Sequence, residues 1–315
     1  MSDFLFLDEA KTASLINMKE AVATCEAVLR EQGEGLAVLS DPSAMFLDGD
    51  KAAPVKFKVK GGALTGLDVC GFRVVGDIGQ DGILGEHHYC LLLDPVTAKP
   101  RALVAQTELH RIRTAACGLA ALRQLISPKA RTVALIGAGK IGAWFARGFH
   151  EVFPRLELIV ASRRLESAEA LTASIPNQKI LALPVEDAVA AADAFVAIST
   201  ATEPVLTGNA FKPGMTIIGM GEYHELPAAL LHRADHFIVD DIGFASMLGS
   251  LSHWIARGDV TREAASARVS ATLSAIVAGR ATGRQSEEEI IVAIVQGLAI
   301  ADLALADLCR RKMVG

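Results

Sequence analysis

Residues 132–142, TVALIGAGKIG, run from an apolar strand pattern into Gly137-x-Gly139-x-x-Gly142 at the opening of a helical pattern. That spacing suits a dinucleotide. Gly137 permits a tight turn, Gly139 lets the backbone approach a pyrophosphate, and Gly142 allows close packing of helix on strand. With Ala138, Lys140 and Ile141 they form a turn whose unpaired N–H groups and helix dipole favour an anion. About twenty residues on, an NAD site usually presents an acid to the ribose 2′-hydroxyl. This chain has Ser162-Arg163-Arg164 there, and Glu166 lies too far along to replace the acid. Guanidinium groups suit a 2′-phosphate, so NADP(H) is the favoured cofactor and NAD(H) the alternative. The bland reading is that the two arginines begin a solvated helix.

The surrounding pattern supplies the strands and helices this motif requires. TVALIG, LELIVAS, KILAL, AFVAIST, MTIIGM and HFIVDD alternate with helix-pattern stretches, which predicts an α/β fold with a doubly wound, Rossmann-type parallel sheet. Before it, residues 19–32 carry Val22, Cys25, Val28 and Leu29 at helical spacing, ended by Gly33 and Gly35. Residues 54–105 read as short strands in an antiparallel or mixed sheet, and 108–126 as a helix broken by Ser127-Pro128. These divisions predict a second, α+β lobe over residues 1–125 and a nucleotide-binding domain over 126–289. The stretch after Asp241 reads as mostly helical, with a C-terminal helix of about 290–315 returning to the first lobe.

The 315 residues are 51% hydrophobic and 21% charged, which supports an ordered chain with sizeable cores. Aromatics are only 5% and the formal charge is −5 without a long basic run, which argues against nucleic-acid binding. The cysteines Cys25, Cys70, Cys90, Cys117 and Cys309 form neither a C-x-x-C pair nor a zinc-like set, so reduced thiols and no metal are expected. The start, MSDFLFLDEAK, lacks the pattern of a signal peptide, which points to the cytoplasm. Ile290–Leu308 is apolar but interrupted by Gln296, Asp302 and Asp307, and reads as a buried helix rather than a membrane span.

Several strings taken together resemble the ornithine cyclodeaminase/mu-crystallin family. They are HRIRTAACGLAAL (110–122), the nucleotide motif, AISTATEPVL (197–206), GMGEYHELPAALLHRADHFIVDD (219–241) and the tail AGRATGRQSEEEI with QGLAIADLALA. The resemblance covers most of the chain. It implies a Rossmann lobe, a second lobe holding the substrate and a homodimer contact, and chemistry on a C=N bond beside a carboxylate.

Arg113 matches the arginine of the family's RTxA motif, which implies a grip on the substrate carboxylate; guanidinium geometry suits that contact. His110 lies three residues earlier on the same helix face and stands where many members have Thr. It reads as a substrate contact or proton donor, or else as a surface histidine. Arg73, in GFRVVGD, aligns with a family lysine and reads as an electrostatic clamp, since arginine does not release its proton. Lys56 or Lys58 is the candidate for a further strand cation; alternation places both on one face, and either is otherwise a plain exposed lysine. Together with His87 and His88, these groups leave room for a second acidic group on the substrate. Cyclodeaminating members carry an aspartate where this chain has Gly221-Glu222, so Glu222 either replaces it or the reaction does without it. Thr200, Thr114 and Gly297 are the remaining cofactor candidates, Gly297 first as a close-packing glycine; Gly283-Arg284 and Gln296 belong to the same tail, where the family's usual Phe and Ser give way to Ala293 and its neighbours.

The resemblance and these departures imply an NAD(P)H-dependent reductase converting a small 2-imino acid to the L-amino acid. Within the family the alternatives are an ornithine cyclodeaminase and an amino-acid dehydrogenase. From another class, the alternative is a crystallin-like protein that binds a cofactor and a small molecule.

Overall fold

The computed structural model describes residues 4–48, 55–79, 84–176, 178–206 and 211–314. The chain divides into two compact units, one of Met1–Thr114 with Gly297–Gly315 and one of Ala115–Gln296. The divisions thus fall at 114/115 and 296/297, not at 125/126 and 289/290. All five cysteines are free thiols.

In the first unit β1 (Leu5–Leu7) and α1 (Glu9–Leu15) precede α2 (Met18–Glu34), so the helix read at residues 19–32 is the second of the chain. Asn17 and Glu20 form a capping box on α2, and Gly35 ends it in the left-handed region. There follow β2 (Ala37–Leu39), β3 (Met45–Asp48), β4 (Val55–Leu64), β5 (Val69–Ile78), β6 (Gly85–Leu93), β7 (Pro100–Ala105) and the first turns of α3 (Thr107–Leu125). The sheet order is β1-β7-β6-β5-β4-β2, with β3 also on β4; β1 runs parallel to β7 and the other pairs are antiparallel.

Register sorts this sheet into two chemically different faces. Leu7, Val104, Cys90, Arg73 and Lys60 form one cross-strand row, none of them more than 4% exposed. The adjacent row, Phe6, Leu103, Leu91, Phe72 and Gly61, points to the opposite face. There Phe6, Phe57 and Phe72 are exposed. The buried face is covered by the chain's last helix, α12 (Ala299–Val314), whose Ile300 and Leu303 lie against Gly62 and Gly71.

In the second unit the elements are β8 (Thr132–Ile136), α4 (Lys140–Val152), β9 (Glu157–Ala161), α5 (Leu165–Ala173), β10 (Ile180–Ala182), α6 (Val185–Ala191), β11 (Ala194–Ala197) and β12 (Thr216–Gly219). After them come α7 (Ala229–Arg233), β13 (His236–Val239), α8 (Ile242–Ala245), α9 (Gly249–Arg257), α10 (Arg262–Arg268), β14 (Val269–Thr272), α11 (Leu273–Val277) and β15 (Ile291–Ile294). All eight strands are parallel, in the order β10-β9-β8-β11-β12-β15-β13-β14. The first five reproduce the doubly wound 3-2-1-4-5 arrangement, with the strand-order reversal beside β8. Phe195, Ile217, Phe237, Trp254 and Val292 meet in its core.

One element departs from the sequence reading. Residues 291–294 form a central strand between β12 and β13, not the beginning of the terminal helix. A short apolar run buried on both faces has no periodicity to separate strand from helix. Gln296-Gly297 then ends the strand segment, and α12 begins only at Ala299.

Candidate active site

In the second unit, the turn between β8 and α4 is built by its glycines. Gly137 has φ +130°, and a Cβ there would fall 2.1 Å from the Ile198 carbonyl oxygen; one on Gly142 would fall 2.0 Å from that of Gly137. Gly139, the N-cap of the 13-residue α4, has open space where a side chain would stand. Ala138 and Ile141 are half-buried and Lys140 is exposed. The open cradle at a helix N-terminus fits a pyrophosphate. Beyond β9 the Ser162 hydroxyl donates to the Arg164 carbonyl at 2.6 Å, holding the bend, while Arg163 and Arg164 are exposed. Thr200, past the end of β11, is exposed as well.

Glu225 ties the neighbouring strand ends together. Its buried carboxylate accepts from Ser199 N (2.9 Å), Ser199 Oγ (2.8 Å), Met220 N (2.9 Å) and Gly221 N (2.6 Å). Burial raises its pKa against the pull of those four donors. Glu222 is exposed on the loop after β12, whereas Glu225, three residues on, is buried. Gln296 donates to the Gly221 carbonyl at 3.3 Å, and Arg284 binds the carbonyls of Leu125 and Glu289. Arg284 is a structural tie within this unit.

The first unit holds a buried cationic cluster around one acid. Arg113 Nε donates to Asp302 Oδ1 at 2.9 Å, and Arg73 Nε stands 3.4 Å from the same oxygen. Arg113 Nη2 donates to His110 Nδ1 at 3.0 Å, which leaves the neutral ring's proton on Nε2. Lys60 Nζ donates to the Gly297 carbonyl at 2.7 Å. Gly297 has φ +80°, and a Cβ on it would sit 1.9 Å from Arg113 Nη1. Thr114 donates to the His110 carbonyl at 2.8 Å. Thr114 and Gly297, cofactor candidates by sequence, therefore have partners within this cluster.

Asp302 is 0% exposed; Lys60, Arg73 and Arg113 are 2–4% exposed. Burial alone raises the Asp302 pKa, but Arg113 and Arg73, with His110, hold it below the usual carboxylate range. Burial, then the Arg73 charge, keeps the His110 pKa well below that of an ordinary histidine. Burial and the two arginines similarly depress that of Lys60, with Asp302 opposing them. The site therefore combines fixed guanidiniums, a neutral imidazole and an amine with weakened hold on its proton.

Lys56, Lys58 and Lys60 share a face of β4, but burial increases along it: Lys56 is exposed, Lys58 half-buried and Lys60 buried. The strand cation within the cluster is Lys60, which the sequence reading omits. Asp302 stands in that reading only as an interruption of an apolar stretch, although an acid in an apolar helix is a signal for a buried cationic partner. Of the histidines, His88 donates from Nε2 to Asp77 Oδ1 at 3.1 Å and meets the His110 ring edge-on at 5.1 Å. Asp77, Glu86 and His88 are the group of potential metal ligands among the described residues, with ligand atoms within 4.8 Å of one another. Arg111 already pairs with Glu86 there, and His87 is exposed.

Among the described residues no helix is long and apolar enough to cross a membrane. The chain is similar to a Delta(1)-pyrroline-2-carboxylate reductase of Bacillus cereus, with 26% identity over 98% of this chain and 97% of that one. It also matches an archaeal alanine dehydrogenase dimer with bound NAD, at TM-score 0.88 and 25% identity over 99% and 98% of the two chains. The iminosuccinate reductase of Paracoccus denitrificans in complex with NAD+ shares the fold, at TM-score 0.85 and 24% identity over 99% and 98%. Relatives thus include imine reductases and an amino-acid dehydrogenase, with nicotinamide cofactors in the solved structures. The model of one family matches residues 3–315, and the chain belongs to that family, the ornithine cyclodeaminase/mu-crystallin family.

Proposed function

We propose that the protein is an NADP(H)-dependent reductase of a small 2-imino acid, yielding the L-amino acid. The observation that carries this reading is the buried cluster of Arg113, Arg73 and Lys60 around Asp302. Paired guanidiniums on a fixed acid are pre-organised for a carboxylate. Gly137–Gly142 and Arg163 hold the cofactor, with Ser162, Arg164, Thr200 and the residues of the turn beside them.

When bound, the cofactor supplies a hydride to the imine carbon. Arg113 and Arg73 hold the adjoining carboxylate, which fixes the orientation of that carbon. The imine nitrogen takes a proton. His110 is neutral in the field of Arg73 and Arg113; a substrate carboxylate offsets that field and raises its affinity for a proton. His110, with water as its source, then donates to the nitrogen, giving the amine. Glu222 on its exposed loop is the weaker candidate for this transfer. No aspartate occupies the cyclodeaminase position, and a net reduction needs only hydride, clamp and proton.

We also propose a homodimer made through the uncovered sheet face of the first unit. Phe6, Phe57 and Phe72 are 53%, 37% and 47% exposed there, and half-bared aromatics along one face call for a partner surface. A second copy of the chain fits the dimer in which the alanine dehydrogenase relative is found.

The test of the reaction is oxidation of NADPH and NADH with 2-oxo acids plus ammonia or methylamine, with cyclic imines, and with ornithine. The reading predicts net NADPH loss with an imine, and an Arg163→Ala variant that loses its preference over NADH. Proline and ammonia formed from ornithine with catalytic NAD, and no imine reduced, would make the protein a cyclodeaminase instead.

A further inference from the structure

We infer that Glu225 is a positioning residue for the cofactor, setting the chain on which the nicotinamide half of the dinucleotide lies. This rests on the dinucleotide reading of the Gly137–Gly142 turn, and its evidence is the way one buried carboxylate fastens the exits of β11 and β12. In a doubly wound sheet the two halves of a dinucleotide lie outside the carboxyl ends of the strands, to either side of the order reversal. On one side, β8, β9 and β10 carry the Gly137–Gly142 turn and Ser162-Arg163-Arg164; on the other, β11 and β12 follow. The nicotinamide half therefore falls to the exits of β11 and β12.

Glu225 is 0% exposed and meets both exits at once. Its Oε2 accepts from Ser199 N and Ser199 Oγ, just past β11, and its Oε1 from Met220 N and Gly221 N, just past β12. These four donors fill the lone-pair sites of a carboxylate, so its part is to hold main chain and not to move a proton. The Glu225 carbonyl accepts from Val205 N at 2.9 Å, so segment 199–205, which carries Thr200, hangs from this one residue at both ends. The Ser199 hydroxyl also accepts from Ala201 N at 3.3 Å, which shapes the turn at Thr200. The exits approach so closely that a Cβ on Gly221 would stand 2.5 Å from the Ser199 carbonyl oxygen and 2.6 Å from Glu225 Oε2. Gly137 packs against the carbonyl of the preceding residue, Ile198, so the fastening reaches the pyrophosphate turn. Glu225 is in turn anchored on α9: Leu226 N donates to Ser250 Oγ at 3.1 Å and the Trp254 indole to the Leu226 carbonyl at 2.8 Å.

The test separates the two halves of the ligand. Dissociation constants of the full-length protein for NADPH, and for 2′,5′-ADP as the adenosine half alone, are measured by calorimetry in the wild type and in Glu225→Gln. The carboxamide keeps the shape of the side chain. Its oxygen stays with Met220 N and Gly221 N, and its NH2 group falls opposite Ser199 N, which loses its acceptor. Loss of a buried hydrogen bond to a charged group frees segment 199–205, and NADPH is expected to bind about tenfold or more weaker, with 2′,5′-ADP within about twofold of the wild type. Ser199→Ala, which removes only a hydroxyl, should give the same selective loss to a smaller extent, and it carries the test where Glu225→Gln does not fold. For a wild type that prefers NADH, NADH and ADP make the same comparison. Equal weakening of both ligands, or unchanged binding of the dinucleotide in both variants, overturns the inference. A selective loss in a protein that reduces no imine would uphold the role of Glu225 and overturn the reductase reading; imine reduction by the wild type with equal weakening in the variants would do the reverse.

Discussion

Arg113 and Asp302, 189 residues apart in the chain, are joined by a buried hydrogen-bonded ion pair of 2.9 Å between Nε and Oδ1. The same oxygen faces Arg73 at 3.4 Å, so one carboxylate balances two guanidiniums in a place with almost no solvent. Asp302→Asn keeps the shape and removes the charge. We expect a loss of about 3–5 kcal/mol in stability, the usual cost of leaving a buried ion unpaired, measured by urea unfolding. Wild-type stability in this variant would show that Asp302 does not balance the arginines.

Gly297 lets the chain pass over Arg113. Alanine there must adopt φ +80° and place its Cβ 1.9 Å from Nη1. Arg113 cannot yield freely, because Asp302 and His110 hold its other nitrogens. A displacement of the clamp by an ångström is expected to lower kcat/KM for the imino acid by about 100-fold. Unchanged kinetics in Gly297→Ala would mean that the clamp does not depend on this close approach.

His110 makes stability depend on pH in a defined direction. Its folded pKa lies well below the ordinary value of 6.5, so between the two values the unfolded chain binds more protons and stability falls as pH drops. Arg73, Arg113 and Asp302 set that field, with the His88 ring against it. The melting temperature of His110→Gln should therefore decline less than that of the wild type between pH 7 and pH 5. A parallel decline would show that the imidazole is not held neutral.

The uncovered sheet face gives an assembly prediction. Phe72 lies on the row opposite to that of Arg73 and is 47% exposed in the single chain. Phe72→Asp places a charge in the proposed contact and should yield a monomer by light scattering, with the chain still folded by circular dichroism. A variant that remains dimeric would put the contact elsewhere.

Much of this arrangement is legible in the residues. The glycines of residues 137–142 carry their own geometric requirement, and the alternating strand and helix patterns give the doubly wound sheet. Arg113 and His110 share a helix face because they are three residues apart. What the sequence hides is burial that depends on distant covering. Lys56, Lys58 and Lys60 are equivalent by alternation; what distinguishes Lys60 is its burial against distant chain, with its Nζ on the Gly297 carbonyl. Residues 291–294 read as helix because an apolar run buried on both faces has no period, and their identity as β15 depends on the neighbours β12 and β13. Asp302 reads as an interruption of an apolar stretch, whereas it is the counter-ion that allows two arginines into the core.

The most direct test of the central claim is the fate of the hydride. The protein is supplied with NADPH deuterated at the transferable position of the nicotinamide and with an imine formed from a 2-oxo acid and ammonia, and the amino acid is examined by mass spectrometry and proton NMR. The proposed reaction predicts an L-amino acid carrying one deuterium at Cα, formed one for one with NADPH consumed, and a loss of about 100-fold or more in rate when Arg113→Ala removes the charge-assisted clamp. Product without deuterium at Cα, or full activity in Arg113→Ala, would contradict it.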